Sequence, residues 1–395
     1  MKKSLLALAA LGAFAGAVHA QSSVTLYGII DAGLTYVNNT KGESLLAMQS
    51  GITQGSRWGL KGSEDLGGGL KTVFQLEDGF NTFTGKAGQG GLDFGRQAYV
   101  GLSGASWGTV TIGRQYDTID DYVQPATLNG NWSAYYSHAG DIDNSDNAYR
   151  VNNAIKYASP SYNGLTFGGM YAFGGVAGEF GKDSMFGLGT SYANGPIYLT
   201  AAYEYARNPV SQFTDGNWVA SSNNPAASGA FGYVGGLCGS TLTGNALAAC
   251  NAAQPTSSQI IGAGGTYTIG AAKLGLDYTN TKFANANGTT SSVTFNNIEF
   301  WGQYSLTPAT TLIAGDTFTF GKTGYTITGV GTTPKWNQFN LMADYALSKR
   351  TDVYIMTAWE EAYGGAQASI YNGLLASPAS GRSQVEVRLG IRAKF

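Results

Sequence analysis

The clearest alternation of hydrophobic and polar residues lies in the last stretch of the chain, Arg382 to Phe395. Every second position from Val385 to Phe395 is apolar, and most of the positions between them carry charged or amide side chains. A period of two predicts a β-strand with two different faces. The charged face does not suit a dry core and the apolar face does not suit water. The strand is therefore predicted to separate a wet space from an apolar one.

The wall of a transmembrane β-barrel meets this condition. A Lys or Arg that faced lipid would cost about 2–4 kcal/mol at the midplane, so Arg388 and Arg392 are predicted to face the lumen, near the periplasmic mouth. An unpaired strand edge does not persist in hydrocarbon, and a first strand must close against the last one. The alternating run Val24 to Tyr36 is long enough, because about 9–11 tilted residues span a membrane.

A polar loop is predicted from Asn38 to Gly55, and further alternating runs follow. These runs are Arg57–Leu66, Leu70–Phe80, Phe94–Ser103, Trp107–Arg114, Val151–Ser159, Leu165–Phe173, Ser184–Ala193, Ile197–Ala206, Gln259–Ile269, Lys273–Lys282, Val293–Leu306, Thr310–Phe320, Lys335–Leu347 and Asp352–Trp359. Short turns alternate with long loops between them, as in outer-membrane barrels. The pattern predicts an all-β fold, an antiparallel transmembrane barrel of 16 strands, and barrels of roughly 16–18 strands enclose an aqueous channel.

The N-terminus reads as a secretory signal peptide over residues 1–20. Lys2 and Lys3 precede an apolar run, and Val18-His19-Ala20 is a small-residue cleavage site. The barrel is then predicted over residues 21–395. No later apolar run reaches about 18 residues, so no membrane helix is expected.

Composition changes the picture in two respects. Charged residues are 12% of the chain, half of the usual share of roughly 25%, while the chain has 58 Gly and 24 Tyr. Few charges and abundant tyrosines suit a lipid-facing wall with aromatic girdles. Without the two lysines of the signal peptide, 21 basic and 25 acidic residues leave a net charge of −4. This charge argues against nucleic acid as a partner.

Both cysteines, Cys238 and Cys250, lie in a long loop at about 208–257 that is rich in small and polar residues. In an oxidising compartment they are expected to form a local disulfide, and free thiols are the alternative. A metal site at this pair is not expected because no histidine accompanies it.

Several stretches together resemble the general porins of Gram-negative β-proteobacteria. They are QSSVTLYG (Gln21–Gly28), RWGLKGSEDLGGGLKTVFQLE (Arg57–Glu77), FGRQAYVGLSGASWGTVTIGRQ (Phe94–Gln115), YALSKRTDV (Tyr345–Val353) and the terminal Phe395. The resemblance implies an outer-membrane barrel that assembles as a homotrimer in contact with lipid and lipopolysaccharide. It implies passive diffusion of ions and small hydrophilic solutes, and a third external loop folded into the lumen. It also implies that the assembly machinery of the outer membrane reads the terminal Phe.

The alternation stops between Tyr116 and Tyr149, in the place of that third loop. We call residues 116–149 the acidic segment, because it holds six aspartates and has no Lys or Arg before Arg150. The six are Asp117, Asp120, Asp121, Asp141, Asp143 and Asp146. They are expected to include the acidic side of a pore constriction, although any one of them can be a solvated loop charge. Which acid lies at the narrowest point stays open at this stage.

The basic side of the constriction is expected on the opposite wall. By resemblance, Arg57 and Arg96 belong to this cluster and Arg150 adds to it, while Lys61 shares the lumen-facing parity of Arg57. Opposed acids and bases across a narrow pore create a transverse field that orients dipolar solutes. Strict alternation would put Arg96 on the lipid face, so an inward position requires an irregularity nearby or a place above the membrane.

Other chemistry finds little support in the residues. The only histidine after the signal peptide, His138, has no nucleophile motif to act with, so no enzyme and no cofactor are expected. The stretch Asp141–Asn147 is rich in oxygen ligands but lacks the Gly and the distal Glu of an EF-hand, so no metal site is expected. Two rival functions stay open: a substrate-specific channel with Trp132, Tyr135 and Tyr136 as a binding track, and a surface adhesin or receptor.

Overall fold

The computed structural model describes residues 23–213, 254–286, 289–324, 333–371 and 378–395. The predicted signal peptide, both cysteines and most of the loop at 208–257 lie outside these residues. The strands are β1 (Ser23–Thr40), β2 (Glu43–Ser50), β3 (Arg57–Gly67), β4 (Leu70–Gly79), β5 (Gln97–Gly104), β6 (Gly108–Gln115), β7 (Val151–Ala158), β8 (Leu165–Ala172), β9 (Met185–Asn194), β10 (Ile197–Arg207), β11 (Ser257–Ile269), β12 (Ala272–Ala284), β13 (Val293–Ser305), β14 (Thr310–Thr323), β15 (Lys335–Ala346), β16 (Thr351–Tyr363) and β17 (Ser383–Lys394).

These strands form one closed antiparallel barrel. From β3 onward each strand pairs with the next, and β1 closes against β17, with Thr35 opposite Arg388. On its other edge β1 pairs with β2 along its second half and with β3 along its first half. Since β2 and β3 occupy one position in the wall, the barrel has the 16 strands that the sequence predicts.

The predicted polar loop from Asn38 to Gly55 is wrong for most of its length. β1 continues to Thr40, and Lys41 and Gly42 form a tight turn with positive φ angles of 55° and 101°. β2 then returns along β1, and only residues 51–56 leave the wall. The polar residues around the turn, from Asn38 to Ser44, concealed this hairpin.

The barrel wall has an apolar outer face and a polar inner face. On β17, Leu389 and Ile391 are exposed, whereas Glu386, Arg388 and Arg392 are buried, as the alternation predicts. The other strands repeat this contrast, because large apolar side chains account for most exposed wall positions. In the described part of the chain, no helix combines the length and the apolar character that crossing a membrane requires.

The acidic segment follows β6 and consists of short helical turns. These are Ile119–Val123, Gln124–Ala126, Leu128–Asn131, Ala134–Tyr136 and Ala139–Asp141, and one further turn, Pro209–Gln212, follows β10. Its apolar side chains pack on inner-face residues of distant strands. Ile119 and Val123 form a cluster with Ile260, and Leu128 is buried with Trp301.

Candidate functional site

Two arginines bind one carboxylate at the inner face of β3 to β5, and a third lies over the neighbouring Tyr116 ring. Glu77, near the end of β4, accepts a hydrogen bond from Arg96 Nε at 2.7 Å, and Arg57 Nε lies 3.6 Å from its other oxygen. Tyr116, the first residue of the acidic segment, accepts a hydrogen bond from Arg96 at 2.7 Å and donates one to Glu77 at 2.8 Å. The guanidinium carbons of Arg96 and Arg150 each lie 5.7 Å from the centre of the Tyr116 ring.

We call these residues, Arg57, Arg96 and Arg150 with Glu77 and Tyr116, the arginine cluster. The cluster holds three permanent positive charges and one carboxylate, so it is net positive. Its members are largely shielded from bulk water, which strengthens their field relative to exposed charges.

The position of Arg96 resolves the parity problem that the sequence poses. β5 begins at Gln97, so Arg96 precedes the strand and its side chain is not bound by the alternation. Its backbone N–H donates to the Glu77 carbonyl at 3.1 Å, which holds it beside β4. Lys61 lies outside the arginine cluster. Its Nζ is 5.2 Å from the ring centre of Tyr27, whose hydroxyl donates to Glu77.

Two of the six aspartates fold the acidic segment itself. Asp117 accepts the backbone N–H groups of Ile119 at 2.7 Å and Asp120 at 2.9 Å, and also a hydrogen bond from the Asn144 amide. Asp141 accepts backbone N–H groups at the end of the segment, that of Asp146 at 2.8 Å among them. Burial raises the pKa of Asp117 to about 6, although these hydrogen bonds oppose the shift.

A third aspartate, Asp143, binds His138 and the opposite wall. One of its oxygens lies 2.6 Å from His138 Nδ1 and accepts hydrogen bonds from Thr279 and Asn297. Burial alone would raise the pKa of Asp143, but the imidazole and these donors lower it to about 2. Burial likewise opposes the charged form of His138, yet the neighbouring carboxylates raise its pKa well above the usual range.

The remaining three aspartates lie closer to basic groups. Asp121 forms an ion pair with Lys156 at 2.6 Å, and Asp120 accepts a hydrogen bond from Gln124 at 2.6 Å. Burial raises the pKa of Asp146 to about 7, and its interactions with Arg150 and Arg96 lower it in part. Asp146 is partly accessible to solvent, and its carboxylate interacts electrostatically with Arg150 and Arg96 of the arginine cluster.

Arg388 and Arg392, the two arginines predicted on the lumen face of β17, lie at different heights along the barrel axis. Arg388 is fully buried in mid-strand, where it donates to Asp31 at 2.9 Å and to Thr35 at 3.1 Å, and not near the periplasmic mouth as the sequence suggests. The hydroxyl of Thr35 in turn bonds that of Tyr135, so Arg388 lies level with the acidic segment. Arg392 pairs with Asp352 near the short-turn end of the barrel.

At this short-turn end, Phe395 completes the closure of the barrel. Its backbone N–H and carbonyl exchange hydrogen bonds with Gly28, both at 3.0 Å.

The three aromatic residues proposed as a solute track hold the acidic segment in place. Tyr135 and Tyr136 are fully buried, and the Tyr136 hydroxyl donates to the Leu341 carbonyl at 2.8 Å. Trp132 donates through its indole N–H to Gln303 at 3.0 Å. Because these side chains bind the protein itself, they offer no continuous aromatic surface to a sugar.

The central carboxylate of the arginine cluster was not predicted from the sequence. Glu77 lies within one of the stretches that resemble porins and has the inner-face parity of Gln75, which was the available signal. Asp277 and Glu299, which meet His138 inside the barrel, were not predicted either, because nothing in the local sequence links these residues.

Comparisons with known proteins show to which family the chain belongs. A family model described as Gram-negative porin matches residues 7–364. An outer membrane porin protein of Bordetella pertussis is 32% identical over 389 residues, which cover 90% of this chain and 93% of that protein.

Solved structures show the same fold. The anion-selective porin from Comamonas acidovorans has a TM-score of 0.72 at 24% identity, with 95% of this chain and 100% of that chain covered. The trimer form of OmpT from Vibrio cholerae has a TM-score of 0.64 at 15% identity, with 95% and 99% covered. The chain therefore belongs to the family of Gram-negative porins.

Proposed function

We propose that the acidic segment constricts the channel of this outer-membrane porin beside the arginine cluster, and that the cluster makes the channel favour anions. The family makes the chain a channel for passive diffusion of ions and small hydrophilic solutes and not an enzyme. The proposal concerns where the channel is narrow and which charges solutes meet there.

Contacts with distant strands support the constriction. Trp301 on β13 donates to the Ala126 carbonyl at 2.8 Å, Thr200 on β10 donates to the Tyr122 carbonyl at 2.6 Å, and Ala134 N–H donates to the Ile52 carbonyl at 2.9 Å. Anchors on such widely separated strands support a path of the segment across the interior. Loops that cross a lumen reduce its cross-section, and the narrowest point decides selectivity.

The observation that carries the anion preference is the gathering of three guanidinium groups beside a single carboxylate, with Arg57 and Arg96 at Glu77 and Arg150 over the Tyr116 ring. On the acidic side, Asp117, Asp141 and Asp143 are occupied by hydrogen bonds within the protein. Asp121 is paired with Lys156, which leaves Asp146 and Asp120 to oppose the arginines. The resulting transverse field is stronger on its basic side. The anion-selective porin from Comamonas acidovorans has the same fold, which agrees with this sign.

The assembly of the protein follows from the same proposal. We infer a homotrimer in contact with outer-membrane lipid and lipopolysaccharide, as the family resemblance implies and as the trimer form of OmpT illustrates. Phe395 then serves as the signal that the outer-membrane assembly machinery reads. A local disulfide between Cys238 and Cys250 would tie the external loop that contains them.

Ion selectivity in a planar bilayer tests the proposal. Under a KCl gradient the wild-type channel is expected to show a reversal potential of the sign that anion preference gives. The double variant R57Q/R96Q removes two positive charges and should shift the potential toward cation preference. A matched control is R382Q, since Arg382 is exposed and paired with Glu361 away from the cluster. Identical potentials for wild type and double variant would refute the constriction assignment.

A further inference from the structure

One cluster inside the barrel has no role in the channel as described. His138 of the acidic segment, Asp277 of β12 and Glu299 of β13 each direct one ligand atom at a common point, and these atoms all lie within 4.8 Å of one another. His138 Nε2 is 3.3 Å from Asp277 Oδ1 and 3.9 Å from Glu299 Oε2. All three side chains are buried.

The carboxylates of Asp277 and Glu299 lie side by side on two adjacent strands, and that of Asp277 accepts no hydrogen bond from the described residues. Asp277 and Glu299 are directly opposite in the β12–β13 register, an arrangement of like charges that destabilises a strand pair. Asp277 is 1% exposed, and neither of its oxygens has a hydrogen-bond donor among the described residues. His138 Nε2 faces Asp277 Oδ1 at 3.3 Å as an ion pair and makes no hydrogen bond. Buried groups of this kind require a compensating charge.

We propose that His138, Asp277 and Glu299 bind a divalent cation of the zinc class. Zn²⁺ takes imidazole nitrogen and carboxylate oxygen at about 2.0–2.2 Å, so two of its ligands lie no more than about 4.4 Å apart. Both measured separations from His138 Nε2 satisfy this limit. Two carboxylates also neutralise the charge of the ion, and one imidazole with carboxylates suits zinc better than calcium or magnesium.

The surroundings of the cluster match those of metal ligands. His138 Nδ1 lies 2.6 Å from Asp143, which fixes the ring so that Nε2 points to the site, as in carboxylate–histidine–zinc arrangements. Asp143 is itself held by Thr279 and Asn297. Glu299 is positioned by the Leu128 N–H at 2.5 Å and by Thr317 at 2.9 Å. The side chains of His138 and Glu299 are thus oriented before an ion binds.

The consequence is a link between the acidic segment and the wall. His138 belongs to the segment, whereas Asp277 and Glu299 belong to strands of the barrel. An ion shared between them fixes the segment at a point distant from the arginine cluster. The site does not depend on the ion preference of the channel, so either proposal can fail alone.

Zinc binding to the purified, folded protein in detergent tests the site. After treatment with a chelator and dialysis, titration with Zn²⁺ followed by elemental analysis should give about one zinc per chain. D277N keeps the shape of the side chain and removes the charge, and its zinc affinity should fall at least about tenfold. D344N is the matched control, because Asp344 is another buried wall aspartate outside the cluster, and it should bind zinc like wild type.

X-ray absorption at the zinc edge supplies a test that needs no variant. The expected spectrum shows one imidazole and oxygen ligands and no sulfur. Sulfur ligands would place the ion at the cysteines and overturn the proposal. Equal zinc affinity of wild type and D277N would overturn it too, as would the absence of zinc binding to the wild type. If the wild type binds no zinc, a protonated His138 alone balances the charges of Asp277 and Glu299.

Discussion

At the scale of single residues, Glu77 determines how the arginines can coexist. Arg57 and Arg96 lie on one side chain of opposite charge, and without it their like charges would repel at short range in a partly dry environment. Tyr116 adds a neutral hydroxyl that bonds both Arg96 and Glu77. Glu77 therefore orients the arginines and also reduces the net charge that an anion meets.

Asp146 gives the channel a predicted dependence on pH. Its pKa of about 7 means that it is mostly neutral below about pH 6 and mostly ionised above about pH 8. As pH rises through this window, the new negative charge near Arg150 and Arg96 should reduce anion preference. The measurement is the reversal potential in a KCl gradient at several pH values. D146N should make this change with pH smaller than in the wild type.

The exposed turn residue Asp65 provides the control for this prediction, because D65N removes a charge away from the cluster. The control should retain the full pH response. A D146N channel whose potential changes with pH as much as that of wild type would show that another group titrates, and the assignment of Asp146 would be wrong.

The sequence predicts the position of a single residue where a family motif or the alternation along a strand includes it. Arg57 was placed by its resemblance and its alternation, and both agree with its contact to Glu77. The meeting of His138 with Asp277 and Glu299 was not predictable, because it depends on how a segment without periodicity crosses to strands far along the chain.

At the scale of elements, the acidic segment illustrates structure without intrinsic stability. Its helical turns have three to five residues each, far too few to be stable alone. Contacts with the barrel wall stabilise these turns, and glycines in the wall leave space for them. A Cβ added at Gly189 would lie 2.1 Å from the Tyr122 ring, and one at Gly187 would lie 2.3 Å from the Thr118 hydroxyl. Glycines on β9 thus permit the close approach of the segment.

Element boundaries were predictable where two-residue alternation starts or stops. The segment was predicted between Gln115 and Arg150, and β6 and β7 end and begin next to these residues. Its internal turns were not predictable, since tertiary contacts select them. The missed strand β2 shows the reverse error, in which a stretch predicted to be a loop forms a regular hairpin with β1.

Trp301 allows the anchoring of the segment to be tested. W301F keeps an aromatic ring in the core but removes the hydrogen bond to the Ala126 carbonyl, which leaves a buried acceptor unpaired at a cost of about 1–3 kcal/mol. Hydrogen exchange of backbone amides in residues 116–149 should become faster, while exchange in the strands should stay the same. Single-channel records should show more frequent closures.

W359F is the matched substitution on the outer face, where Trp359 is exposed and bonds Ser383. It should leave exchange in the acidic segment unchanged. If both variants exchange alike, the Trp301 contact does not hold the segment, and its immobility must come from other anchors such as Tyr136.

At the scale of the whole molecule, closure of the barrel and recognition of its C-terminus involve the same residue. Phe395 pairs with Gly28 through backbone hydrogen bonds, its ring lies over Gly28, and its side chain is half exposed on the outer face. F395A keeps the backbone pairing, so refolding of the purified protein into detergent should be close to that of wild type. If the ring is a signal for assembly machinery, the amount of folded protein in the outer membrane of cells should fall severalfold.

The comparison that separates these roles uses Leu389, an apolar residue of similar exposure on the same strand. L389A removes outer-face apolar surface without touching the terminus, so it controls for a loss of contact with lipid. Refolding yield and cellular yield should fall together for L389A but diverge for F395A, because only recognition depends on the cell. Parallel losses in both variants would mean that Phe395 acts through packing alone and that the signal lies elsewhere in the last strand.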